Sequence, residues 1–490
     1  MARMATGNEA HRPADLRRGP PAVPGRVGAV ALTVAIVGGV AVLAGTAPTA
    51  AAGVVLGILA TAVFSASDHA RALAGVLLLA SAPVIGGFAD VTNDVPAPLR
   101  LFDDAVLAGG VALLAFNAHL LPPEARRLGG FALAALVLSE LAGVAAAHSG
   151  PLTALSAAWQ DLRWLGIFGW GLWLASSLSA DDRVRCAYFV AVGWAGLTAV
   201  ISVAQVALGM IEEYRLSIPT AAGLFSHPVP GSLAGVMAIT FAIADHQSEK
   251  PVLTPHQRRI AFFVGLAAVM VTLRFQAILV VGAVLLLSLL RRHAGPVASG
   301  VVVATIPILI TGSLLAISAA TSQFGVIAPA DSASSAVIRD VTTHAPSRVR
   351  LSQGALRLAG EQVPFGWGLG TYGSGLESAL ESEAFQSAGL LGFYGFRDTG
   401  PDYRSDNFVA HVLAERGYLG LGLWFLALVL LVATALAGSR HLLPAAALAG
   451  VVATSPFGPA FKSAPYMMII MFVGALLLYD AGEPEPLQDQ

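Results

Sequence analysis

Arg274 stands near the middle of an apolar stretch, Ile260 to Leu290, that is bracketed by Arg258-Arg259 and Arg291-Arg292. A guanidinium at that depth is costly in hydrocarbon unless it faces a water-filled or protein-lined cavity with a partner, so it marks a functional position. Further along, Arg404-Ser405-Asp406-Asn407-Phe408 opens a helical pattern in which Asn407, His411 and Glu415 recur at i, i+4 and i+8 on one face. Ser405 or Asp406 suits the N-cap of that helix. His411 with Glu415 supplies only two ligands, too few for a metal site, and a hydrogen-bonded interfacial histidine is the alternative. Between these clusters runs Pro364-Phe365-Gly366-Trp367-Gly368-Leu369-Gly370-Thr371-Tyr372-Gly373, whose glycines allow the backbone to approach a ligand closely. Gly368, Gly370 and Gly373 satisfy GxGxxG in form, but no strand precedes them and no helix of a βαβ unit follows, so dinucleotide binding is rejected. Glu140, inside an otherwise apolar helical run, either lines a cavity or makes a structural hydrogen bond between helices.

The elements that must position these groups are membrane-spanning. Hydrophobic residues make up 56% of the 490 positions and charged residues 12%, a balance foreign to a water-soluble chain of this length. Apolar windows near 27–46, 50–66, 72–89, 101–121, 128–147, 162–180, 187–209, 231–244, 260–273, 275–290, 298–318, 417–437, 442–455 and 465–479 predict an all-α transmembrane bundle of about twelve to fourteen helices. The run from Val27 to Ala44 is longer than the apolar core of a signal peptide, which favours an uncleaved first span. Each arm of the 260–290 segment rises only about 22 Å into a core roughly 30 Å thick, so a hairpin would leave Arg274 below the outer surface. The alternative is that the arms tilt or thin the bilayer and Arg274 snorkels to the headgroups.

With the N-terminus inside, 16 of the 28 Lys and Arg fall in cytoplasmic segments, and seven of the remaining 12 lie in one long stretch, Arg339 to Arg416. Long loops are exempt from the positive-inside rule, so the short loops set this orientation. The expected organisation is a cytoplasmic tail at 1–26, transmembrane helices over 27–318, an extracytoplasmic loop with amphipathic helices at 319–416, further spans over 417–480 and a cytoplasmic tail at 481–490. Ser347 to Gly360 reads as an amphipathic helix with Leu351, Ala355 and Leu358 on one face. Scattered basic residues give no stripe for nucleic acid. Cys186 is the single cysteine, which excludes an intramolecular disulfide framework.

Four stretches, in order, resemble the O-antigen ligase and surface-polysaccharide polymerase family of membrane glycosyltransferases. They are Gly223-Leu224-Phe225-Ser226-His227-Pro228 with Gly231; Thr272-Leu273-Arg274; Ser347-Arg348 with Gly354-Ala355 and Pro364 to Gly370; and Asp406-Asn407-Phe408 through Glu415-Arg416-Gly417-Tyr418-Leu419-Gly420. They cover the second half of the chain. The resemblance implies a polyprenyl-diphosphate-linked saccharide as donor, a glycan, lipid or protein acceptor, the outer face of a bacterial plasma membrane as the place of reaction, and no metal or other cofactor. It assigns Arg274 and Arg348, with Arg163 as a third, to the departing diphosphate. Asp406 takes the place of the general base, with His411, His227 and Glu361 behind it. Ligases of this kind carry a histidine before the asparagine; Asp406 at that position leans toward a polymerase. A transporter or flippase is the rival from another class, and it predicts inverted repeats that the two halves do not display. A non-catalytic assembly scaffold is a third.

The orientation is checked by labelling. With Cys186 replaced by alanine, a cysteine at Glu383 is expected to react with an impermeant maleimide added to intact cells, and one at Arg292 only after permeabilisation; the opposite pattern inverts the topology.

Overall fold

The computed structural model describes residues 97–146, 150–209, 213–215, 218–220, 228–246, 251–272, 275–324, 334–372, 383–390, 407–439, 442–457 and 464–478. All of these lie in one compact unit, Ser67–Gln490. The expected spans at 27–46, 50–66 and 72–89 lie outside the described residues, as do Arg274, His227 and Asp406.

The described chain is helical: α1 (Ala97–Asn117), α2 (Pro123–Val144), α3 (Pro151–Leu162), α4 (Trp164–Ala175), α5 (Ala180–Ala207), α6 (Pro228–His246), α7 (Pro255–Thr272), α8 (Phe275–His293), α9 (Pro296–Phe324), α10 (Ser334–Glu361), α11 (Glu383–Ser387), α12 (Phe408–Gly438), α13 (Leu443–Thr454) and α14 (Ala464–Leu478). A short antiparallel ladder between β1 (Glu213–Arg215) and β2 (Ile218–Thr220), which the all-α expectation did not include, joins α5 to α6. Among the described residues four helices are long and apolar enough to cross a membrane: α2, α5, the Pro296–Ser313 part of α9, and α12.

The way α2 is buried fits a lipid-facing bundle. Ala125, Ala132, Ala135, Ser139, Ala142 and Gly143 turn inward, while Phe131, Val137, Leu138, Leu141 and Val144 are exposed. Small residues let helix backbones approach, and large apolar side chains face outward where lipid is their solvent. The principal partner of α2 is α12, which also packs on α9, α10 and α13. A second group forms where α5, α6 and α7 pack together, and a third where α4 lies between α1 and α14.

Several expected boundaries move for identifiable reasons. The span placed at 162–180 is the shorter α4, preceded by α3 and separated from it at Arg163. There the indole N–H of Trp164 donates to the Asp161 carbonyl at 2.6 Å, and Gly166 N bonds Arg163 O three residues back, replacing regular four-residue spacing. The amphipathic helix expected over 347–360 is the end of the longer α10; Leu351, Ala355 and Leu358 are buried as its pattern requires. The 260–290 segment is made of two helices, α7 ending at Thr272 and α8 beginning at Phe275.

The span expected from 417 begins earlier, at Phe408, and is bent at Gly417. Gly417 has φ 64° and ψ −166°, a region essentially restricted to glycine. Its missing side chain leaves room for the Pro364 carbonyl, which a Cβ would strike. Gly417→Ala is therefore expected to cost at least about 1–3 kcal/mol, read as a fall in thermal midpoint in detergent. Gly422→Ala, where an added Cβ meets nothing within 4 Å, is the control and should match or exceed the parent.

Candidate functional site

The bend at Gly417 removes helical partners from the carbonyls one turn before it, and the glycine-rich segment supplies replacements. Trp367 N donates to Ala414 O at 2.8 Å and Gly368 N to Glu415 O at 2.9 Å. In return Leu419 N, which in an unbroken helix would bond residue 415, donates to Pro364 O at 3.2 Å. Gly366 (φ 73°), Gly368 (φ 114°) and Gly370 (φ 83°) all occupy the left-handed side of conformational space, which lets successive amides of this segment turn toward α12. Leu369 N reaches Gly143 O, a carbonyl in the last turn of α2, at 3.3 Å. The segment expected to bring its backbone to a ligand thus brings it to α12 and α2.

The side chains that accompany this joint are charged and buried. Arg416, 1% exposed, sets one guanidinium nitrogen 2.9 Å from Glu140 Oε1 as an ion pair and donates a hydrogen bond from the other to Asp161 Oδ2. Glu140 is 4% and Asp161 6% exposed. The arginine therefore joins α12, α2 and α3, and Ser139 adds a bond from its hydroxyl to Gly420 O at 2.8 Å. Glu140 does meet a neighbouring helix, through an ion pair with Arg416 and not through the expected hydrogen bond. The adjacent Glu415 accepts from Tyr372 N at 3.0 Å, and the Tyr372 hydroxyl donates to Leu351 O of α10 at 2.7 Å. Burial pushes the Tyr372 phenol above its ordinary pKa, so it stays a neutral donor.

At the other end of the same limb of α12, Asn407 supplies the N-cap: its side-chain oxygen accepts from Ala410 N at 3.1 Å. The expectation that Ser405 or Asp406 caps this helix is corrected, since the chain turns helical one residue later. The Asn407 amide nitrogen donates to Ser352 Oγ at 2.9 Å, and Ser352 Oγ donates to Arg348 O at 2.9 Å. The main-chain carbonyl of Arg348, one helical turn before Ser352 in α10, is thereby linked to the residue that follows Asp406. Arg163 is two positions from Asp161, at the Arg416 end. By helical rise the two ends are about 13 Å apart. Arg274 and Asp406 are outside the described residues, so the four candidates are represented by Arg348 at one end of the limb and Arg163 near the other.

The fallback bases fare differently. His411, 1% exposed, packs between Tyr372 and Phe408, with ring centroids 6.1 and 6.5 Å away. Its face is shared with Asn407 and Glu415 as the spacing predicts, and all three are buried. Glu361 pairs with Arg357 at 3.0 Å on the exposed side of α10. Among the described residues no three His, Cys, Asp or Glu side chains converge as a metal would require.

Asp161 and Arg416 form a buried ion pair in this site, and the sequence pattern assigned a role to neither. The signal was Glu140: a carboxylate within a span requires a cation, and Arg416 is the arginine immediately before the break in α12. Comparison of the chain with known protein families, curated proteins and solved structures finds no match.

Arg416→Met strands two buried carboxylates and is expected to cost about 3–5 kcal/mol. The neutral triple Arg416→Met/Glu140→Gln/Asp161→Asn should recover most of that loss in a thermal unfolding assay; a triple less stable than the single variant contradicts the buried ion-pair assignment.

Proposed function

We propose that this chain is a membrane glycosyltransferase that moves a saccharide from a polyprenyl-diphosphate carrier to an acceptor sugar hydroxyl at the outer face of a bacterial plasma membrane. The observation that supports it is the convergence of two motif stretches separated by tens of residues. Residues 364–370 are bonded to 414–419, and Arg348 is connected through Ser352 to Asn407. These are the stretches on which the family resemblance rests, and they form one joint.

In the proposed reaction the acceptor hydroxyl oxygen attacks the anomeric carbon, the bond from that carbon to the phosphate oxygen breaks, and the lipid diphosphate leaves with the bonding electrons. The hydroxyl proton passes to Asp406, which acts as general base. Guanidinium groups of Arg274 and Arg348 take up the negative charge that develops on the diphosphate, in the planar geometry suited to phosphate oxygens. Arg163 is the third cation assigned to it. Arg416 is not in this set, because two carboxylates already hold its guanidinium. Asp406 in place of a histidine favours elongation of a glycan over transfer to a different class of acceptor. The proposal keeps both termini in the cytoplasm and the 319–416 segment outside, where the carrier displays its sugar.

Purified protein reconstituted with a polyprenyl-diphosphate oligosaccharide is expected to lengthen the glycan or pass it to an added acceptor. Arg348→Ala and Arg274→Ala are each expected to lower that rate by about 10²- to 10³-fold at unchanged protein level. Lipid-linked glycan that crosses the bilayer without changing length makes the chain a flippase and defeats the proposal.

A further inference from the structure

Glycosyl transfer of the kind proposed above needs Asp406 and Arg348 fixed relative to the membrane-embedded part of the site, yet both belong to the segment between the α9 and α12 spans. What fixes α12 to the bundle is therefore part of the mechanism. Within the buried limb Phe408–Gly417, the side chain of Arg416 pairs with side chains of α2 and α3. We infer that Arg416, held by Glu140 and Asp161, is a positioning residue: it sets the rotation and depth of the first limb of α12, and so the placement of Asn407 at its far end and of the α10 turn Arg348–Ser352 bonded to it, without touching substrate. This inference rests on the glycosyltransferase reading for its catalytic consequence but not for its structural one.

Three observations carry it. The guanidinium is fully enclosed and engaged by carboxylates from two helices that are not sequence neighbours of α12, so two of its donor directions are fixed at once. It sits immediately before Gly417, where main-chain helical bonding is interrupted and rotation of the limb relative to the remaining span is least restrained by the helix itself. From there the limb runs as an unbroken, wholly buried helix to Asn407, whose amide engages Ser352 and through it Arg348. A small rotation at Arg416 is carried rigidly along that length. A misplacement of about 1 Å at reacting groups can lower a rate by about 10²-fold. Arg416 itself is unavailable to a diphosphate unless both carboxylates release it.

The test uses the full-length protein in nanodiscs with a polyprenyl-diphosphate oligosaccharide as donor. The variants are Arg416→Lys and the neutral triple Arg416→Met/Glu140→Gln/Asp161→Asn. The triple is expected to stay monodisperse, to lose about 10²-fold in kcat with KM for the donor unchanged, and to exchange amide hydrogens faster over 364–372 and 407–411. Arg416→Lys keeps the charge and loses the two-pronged geometry, so it should recover part of kcat and part of the protection. Unchanged exchange in the triple overturns the inference whatever the activity, and so does a raised KM at unchanged kcat, which would place Arg416 on the substrate. If the triple does not fold, Arg416→Lys carries the test alone: faster exchange with lower kcat supports the role, and unaltered exchange refutes it. A parent protein that transfers no glycan defeats the functional proposal, while the exchange data still judge the clamp.

Discussion

A guanidinium buried beside two carboxylates is the constraint on which the rest of this architecture depends. Removed from water, Arg416, Glu140 and Asp161 would each be strongly unfavourable alone, and their mutual pairing offsets the desolvation of all three. Such a cluster contributes little net stability compared with well-packed apolar side chains of similar volume. Its effect is to penalise every arrangement of α2, α3 and α12 except the one that brings the charges together. In a bundle whose helices otherwise meet largely through apolar side chains, that penalty selects one rotation of α12 over its neighbours.

Backbone chemistry acts at the same place. A helix broken at Gly417 leaves carbonyls that must be satisfied, and those at 414 and 415 find donors at 367 and 368. The exchange is mutual, with Leu419 N bonding Pro364 O, so the glycine-rich segment and the bent helix complete each other. Gly366 and Gly417 stand face to face, and a Cβ at Gly366 would meet Gly417 N at 2.5 Å. The glycines serve contact between two stretches of main chain. Their contact couples the 364–372 segment to the bend in α12.

Much of the fold was legible because membrane helices announce themselves by length and apolarity. The windows at 231–244, 442–455 and 465–479 coincide with the apolar helices α6, α13 and α14, although the apolar part of each is shorter than the four helices able to cross a membrane. The misjudged boundaries are those where polarity and helicity part company. Apolarity located the α12 span at 417, but the helix begins at Phe408, because a buried limb can carry His411, Glu415 and Arg416 when each has a partner. The site was legible in part. The shared face of Asn407, His411 and Glu415 followed from spacing, whereas Asp161 did not, since pairing between residues 255 positions apart leaves no trace in a single sequence. The Asn407 cap was missed in favour of Ser405 or Asp406, because all three residue types cap equally well and only the first helical turn distinguishes them.

The proposed transfer requires the guanidinium groups of Arg274 and Arg348 to receive a lipid diphosphate beside Asp406, while Arg416 remains committed to its carboxylates. The most direct measurement is an experimental structure of the protein in a lipid nanodisc with a polyprenyl diphosphate bound. Diphosphate density against Arg274 and Arg348, with Arg416 still on Glu140 and Asp161, is the predicted result. Density against Arg416, or at the cytoplasmic ends of the helices, would contradict it.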